Sequence, residues 1–90
     1  MARVGEDFVE EMRRAGYPVS HWTNGPGDRY GTHSHGYTKI LCCLEGSIVF
    51  HTQDGDVALN AGDRMTVGPG VDHSATVGPS GVRCAEAHAG

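Results

Sequence analysis

Turn signals punctuate this chain so often that only short extended segments fit between them. Asn24-Gly25-Pro26-Gly27-Asp28, Glu45-Gly46, Asp54-Gly55, Asn60-Ala61-Gly62-Asp63 and Gly68-Pro69-Gly70 all carry residues that favour tight reversals. Fourteen glycines and four prolines in 90 residues supply that punctuation. Turns about every 8–12 residues suit an all-β sandwich or barrel better than a helical bundle. The apolar and β-branched residues between them predict strands over residues 19–23, 37–44, 47–52, 57–59, 64–67, 73–77 and 82–87. Glu45-Gly46 joins the second and third of these, and Asp54-Gly55 marks a hairpin.

One amphipathic helix is expected ahead of the strands, over residues 5–16. Glu6 and Asp7 suit its N-terminus, and Arg13 and Arg14 its C-terminus, because each opposes the local end of the helix dipole. Phe8, Met12 and Ala15 recur at helical spacing and make a narrow apolar stripe for docking on a sheet. Gly16 is the expected C-cap, with Pro18 just beyond it.

A chain of 90 residues reads as one domain, 1–90, with a helical segment at 1–17 and the β-barrel at 19–88. A core this small is marginal alone, so a homodimer is expected. The net charge is −4 and no run of Lys or Arg appears, which argues against a nucleic-acid partner. The longest apolar stretch, residues 40–44, is far too short to span a bilayer, so no membrane partner is expected. A signal-peptide pattern is not visible, and cytoplasmic placement is the expectation. The three cysteines form no Cys-x-x-Cys pair and read as small buried hydrophobes. Cys43 shares strand parity with His35, which leaves a metal-adjacent or reactive thiol as its alternative.

The residues that promise chemistry are histidines. In His33-Ser34-His35 two imidazoles fall two apart, hence on one face of a strand, and His73 brings a third from far along the chain. Three neutral nitrogens can hold one divalent ion and leave positions open for water or substrate. Imidazole does not select sharply, so the expected cofactor is a divalent transition metal: Fe, Mn, Ni, Cu, Zn or Co. The alternative is that these are hydrogen-bonded interior histidines without a metal. His21, His51 and His88 have no partner at such spacing and read as surface or satisfied groups, or as contacts to a ligand histidine. Trp22 reads as a core or dimer-interface anchor, and Arg29 and Tyr30 as part of a solvated loop near the barrel mouth.

Two stretches of this chain resemble the paired motifs of the cupins, the small jelly-roll or double-stranded β-helix family. The first family motif runs Gly, five residues, His-x-His, three or four residues, Glu, six residues, Gly; Gly27, His33, His35 and Gly46 match it. The second runs Gly, five residues, Pro-x-Gly, two residues, His. Gly62, Gly70 and His73 match, while Gly68 stands in the proline position with Pro69 after it, and Val77 stands at the optional closing Asn. Fifteen residues separate Gly46 from Gly62, close to the family's shortest spacing. The resemblance covers about residues 19–87 and implies a cupin barrel with His33, His35 and His73 as metal ligands.

One position departs from the pattern: Lys39 stands where the family places its ligating Glu. An ammonium has no lone pair and cannot ligate. Parity puts His35, Tyr37, Lys39, Leu41 and Cys43 on one face. Lys39 can swing to the barrel mouth and pair with Glu45 or another acid, anchor a substrate carboxylate beside the metal, or mark a site that no longer binds metal. Loss of the Glu resembles the three-histidine members of the family, among them Fe(II) thiol dioxygenases. The resemblance therefore implies a metal-dependent enzyme, dioxygenase- or isomerase-like, acting on a small acid, thiol or carbonyl compound, with Lys39 or Tyr37 orienting it. Tyr37 has packing as its plainer role. Exchange of a carboxylate for an ammonium makes the site more positive by two charges if Lys39 points inward, which favours an anionic ligand. A non-catalytic module that binds or senses a small ligand is the second reading, and a metal-free isomerase or lyase with Lys39 as base the third.

Overall fold

Residues 5–90 are described by the computed structural model; residues 1–4, the start of the expected helical segment 1–17, lie outside the described residues. Helix α1 (Glu6–Arg14) keeps Glu6 and Asp7 in its first turn and Arg13 and Arg14 in its last. Its end is a Schellman motif: Gly16 N–H donates to Arg13 O and Tyr17 N–H to Met12 O, with Gly16 at φ 84°. Phe8 and Met12 are buried on the sheet beside Cys42, Leu44, Ala85 and Ala87. Ala15, the third residue of the expected stripe, is exposed, because the helix has already ended there.

Six strands follow: β1 (Val19–Asn24), β2 (Arg29–His33), β3 (Lys39–Thr52), β4 (Gly55–Asn60), β5 (Arg64–Val67) and β6 (His73–His88). Two expected breaks do not occur. Segments 37–44 and 47–52 fuse into β3, and 73–77 and 82–87 into β6, because Glu45-Gly46 is a bulge in a continuous strand rather than a turn between two. β2 was expected as loop; its short polar sequence lacks a strand pattern, and only pairing with β6 orders it.

β3 and β6 run antiparallel from Lys39↔His88 to Thr52↔His73, with register shifts at Cys43/Glu45 and Gly46/Ile48. This spine is flanked at one end by β1 on β6 and β5 on β3, and at the other by β2 on β6 and β4 on β3. The bend at the bulges folds the sheet over on itself. Leu41, Cys43, Val67, Val82 and Cys84 from one half thereby meet Ile48, Phe50, Leu59, Ala75 and Val77 from the other in a single interior. The result is an all-β jelly roll with one short helix on its outer face. Among the described residues no helix is long and apolar enough to cross a membrane.

Alternation within β3 sends Cys42 under the helix and Cys43 into the interior, opposite Cys84 in the β6 register. Burial raises the pKa of all three thiols, and that of Cys84 to about 12. Thiolate, the reactive form, is therefore scarce at neutral pH. Native protein treated with a thiol reagent is expected to label none of the three on the timescale at which a free peptide thiol reacts, and all three after unfolding. Fast labelling of Cys43 in the native state would contradict this placement.

Candidate metal centre

His33 closes β2 directly opposite His73, the first residue of β6. His35 lies beyond the strand, in a loop tied down by Gly70 N–H donating to His35 O at 2.8 Å. Strand parity is thus not what aims His35; the loop and its anchor on the second motif do so. The three rings nevertheless converge, with centroids 4.3 Å apart for His33 and His73, 4.9 Å for His33 and His35, and 5.3 Å for His35 and His73. One nitrogen from each lies within 4.8 Å of the others.

Backbone carbonyls settle two tautomers. His33 Nδ1–H donates to Gly31 O at 2.7 Å and His73 Nδ1–H to Val71 O at 3.0 Å, which leaves each Nε2 with a free lone pair. His35 Nε2 is buried and has no hydrogen-bond partner. Burial, and then the charges of Lys39, His33 and His73, hold the His35 pKa below its ordinary value. A neutral imidazole is the form that binds a metal, so the donor set fits one divalent ion.

Two further expected site residues lie beside the histidines. Lys39 pairs with an acid, as one expectation had it, but not with Glu45, whose carboxylate is bound by Arg83 at 3.0 Å. Lys39 Nζ instead meets Glu86 Oε1 at 3.3 Å, with the two side chains only 12% and 11% exposed. Glu86 restores one carboxylate to the interior, so the expected excess of two positive charges shrinks by one. Tyr37 stacks on His35 at 5.0 Å between centroids and on His88 at 4.2 Å, a packing role that holds the His35 ring.

Sequence reasoning missed Glu86. Its signal was present: Glu86 shares parity with Val82 and Cys84, the inward face of an otherwise apolar strand end. His88 Nε2–H donates to Glu86 Oε2 at 3.0 Å, which gives this histidine a partner that its spacing did not reveal. Tyr30, expected in solvent, is half-buried in β2, donates to Asn24 Oδ1 and packs edge-on against Trp22 at 5.8 Å. Trp22, Tyr30, Phe50 and Ala75 wall a cavity of about 270 Å³ whose polar lining is His33, His73, Lys39 and Glu86.

Burial alone raises the pKa of the Glu86 carboxyl, but the His88 hydrogen bond and the Lys39 ammonium outweigh it and hold the group below its ordinary value. A carboxyl with a depressed folded pKa stabilises the protein above its unfolded pKa, and that stabilisation is lost as pH falls through the folded pKa. Urea unfolding of the metal-free protein from about pH 6 to about pH 3 is expected to show stability falling, with a shallower fall for Glu86→Gln. Parallel curves would place the acid-sensitive group elsewhere.

A long two-strand spine, folded over at its bulges and carrying three imidazoles at one end, defines a cupin. Within that superfamily the chain belongs to the AraC-like ligand binding domain family, whose model matches residues 20–85. No curated protein sequence matches it. Among solved structures, a Rhizobium leguminosarum protein of unknown function superposes with a TM-score of 0.75 at 16% identity, covering 82% of this chain and 70% of that one. An RmlC-like cupin from Shewanella frigidimarina gives 0.72 at 24% identity, covering 80% and 64%. An uncharacterized Klebsiella pneumoniae protein with a double-stranded β-helix domain gives 0.68 at 25% identity, covering 78% and 64%. The chain thus spans about two thirds of the length of these proteins.

Proposed function

We propose that this cupin is a metal-dependent enzyme that binds a small acid, thiol or carbonyl compound at a divalent ion held by His33, His35 and His73. The observation that carries the reading is the buried, unpartnered His35 Nε2 beside two imidazoles whose Nδ1 atoms are already satisfied. An orphaned buried ring nitrogen is costly unless something binds it. A bound ion supplies Lewis acidity or, with Fe or Cu, redox chemistry with O2.

The chain's own residues do the rest. Gly31 O and Val71 O hold two imidazoles in the ligating tautomer, and Tyr37 holds the third by stacking. Trp22, Tyr30 and Phe50 wall the adjoining cavity, and Lys39, paired with Glu86, is the group we assign to positioning the far end of the substrate there. Elemental analysis of untagged protein supplied in turn with Fe, Mn, Ni, Cu and Zn tests the reading. About one ion per chain is expected, and a content far below that for every metal overturns it.

A second reading, a binding or sensing domain without chemistry, is favoured by the ligand-binding description of the family. O2 uptake and product analysis over small thiols and diketones separates the two, since a sensor binds such compounds without turnover. Pairing with a second copy remains part of the proposal, supported by the small core.

A further inference from the structure

We propose that Glu86 sets the charge of the ligand: by occupying Lys39 it makes the cavity select monoanions and reject dianions. The inference rests on the preceding reading that this cavity is the ligand site, and it goes beyond it by naming a substrate class and the residue that chooses it. Lys39 and Glu86 lie on adjacent strands, at Lys39↔His88 and Leu41↔Glu86 in the register, so both point inward. Their side chains meet at 3.3 Å, nearly out of solvent, and both line the cavity that His33 and His73 also line. The second Glu86 oxygen accepts from His88, which leaves the carboxylate fixed from both sides.

A ligand in this cavity has two ends to satisfy. One end faces the imidazoles and their ion, where an anionic donor is favoured. Its other end meets the Lys39–Glu86 pair, whose charges cancel, among Trp22, Tyr30 and Phe50. A second carboxylate there must approach Lys39 past Glu86, a like charge in surroundings that screen little. A neutral or apolar end meets no such opposition. Without Glu86, Lys39 becomes a free interior cation, and the preference inverts. The resulting class is a small monocarboxylate or monothiol with an uncharged tail, not a dicarboxylate.

Pentanoate and glutarate are matched probes, with equal carbon chains and one or two carboxylates. Their dissociation constants are measured by NMR titration on wild type, Glu86→Gln and the double variant Lys39→Met/Glu86→Gln, each with cobalt(II) bound and without it. Wild type is expected to bind pentanoate about tenfold or more tighter than glutarate, the scale of one unfavourable charge contact. Glu86→Gln is expected to reverse the order, gaining about tenfold or more for glutarate. The double variant, which removes the freed cation, is expected to lose that gain.

A glutarate-to-pentanoate ratio unchanged in Glu86→Gln overturns the inference. So does a gain for glutarate that survives removal of Lys39, because another group then receives the second carboxylate. Far-ultraviolet circular dichroism checks that each variant is folded, and Lys39→Met alone, which leaves Glu86 with its His88 partner, is expected to lower glutarate binding further. Cobalt uptake is read separately from its visible absorbance. Absence of uptake overturns the metal reading, while the change of ratio in the metal-free protein still decides the role of Glu86.

Discussion

His73→Ala protein is expected to bind a divalent metal about 100-fold more weakly than wild type, or not measurably, at neutral pH. His73 is 2% exposed, lies directly across the sheet from His33, and has its Nδ1 tied to Val71 O at 3.0 Å. Among the described residues no other group of three or more His, Cys, Asp and Glu side chains brings ligand atoms within 4.8 Å of one another. Two imidazoles then remain, too few for a closed or catalytic site. Metal competition against a colorimetric chelator measures the affinity directly. The same loss is visible as stability, since a ligand at about 100 times its dissociation constant adds about 2.7 kcal/mol to the folded state. Wild type is expected to melt higher on addition of the ion and His73→Ala not to respond. A variant that keeps wild-type affinity removes His73 from the centre.

The second large effect belongs to the fold. Gly46→Ala is expected to destabilise the protein by about 3 kcal/mol or more, enough to threaten folding of a domain this size. Gly46 has φ 74°, and a Cβ there would stand 1.9 Å from Gly81 O and 2.8 Å from Gly81 C, both backbone atoms. Neither can move without breaking the β3–β6 register at the bulge where the sheet folds over. Gly62→Ala is the control: its φ is 96°, but nothing lies within 4 Å of the added Cβ. It is expected to lose only about 1–2 kcal/mol, the strain of a left-handed backbone without a clash. Urea unfolding of both variants, metal-free, separates strain from steric exclusion. Equal losses would show that the close approach at Gly46 does not control the fold.

Much of this architecture was legible in the chain. Gly16 ends a helix because only glycine adopts that backbone cheaply, and Phe8 and Met12 face the sheet because helical spacing places them together. Gly27, Gly46, Gly62 and Gly70 with the three histidines announced the barrel. Apart from Ala15, which falls just past the helix end, the larger departures from expectation had non-local causes. Glu45-Gly46 carries the composition of a turn, yet β6 runs past it and pairs on both sides, so the chain bends without reversing. Residues 29–33 lack strand character, and β6 supplies the partner that makes them a strand.

The sequence by itself determined the all-β character, through local backbone preferences, and, through its resemblance to the two cupin motifs, the jelly-roll class and the three converging imidazoles. Tertiary structure alone decided where Lys39 points and what it meets. That partner, Glu86, lies on a different strand, and the contact follows from a register set by bulges between distant segments. Strand parity says which face a side chain takes; only the pairing of two strands says which charge waits for it there.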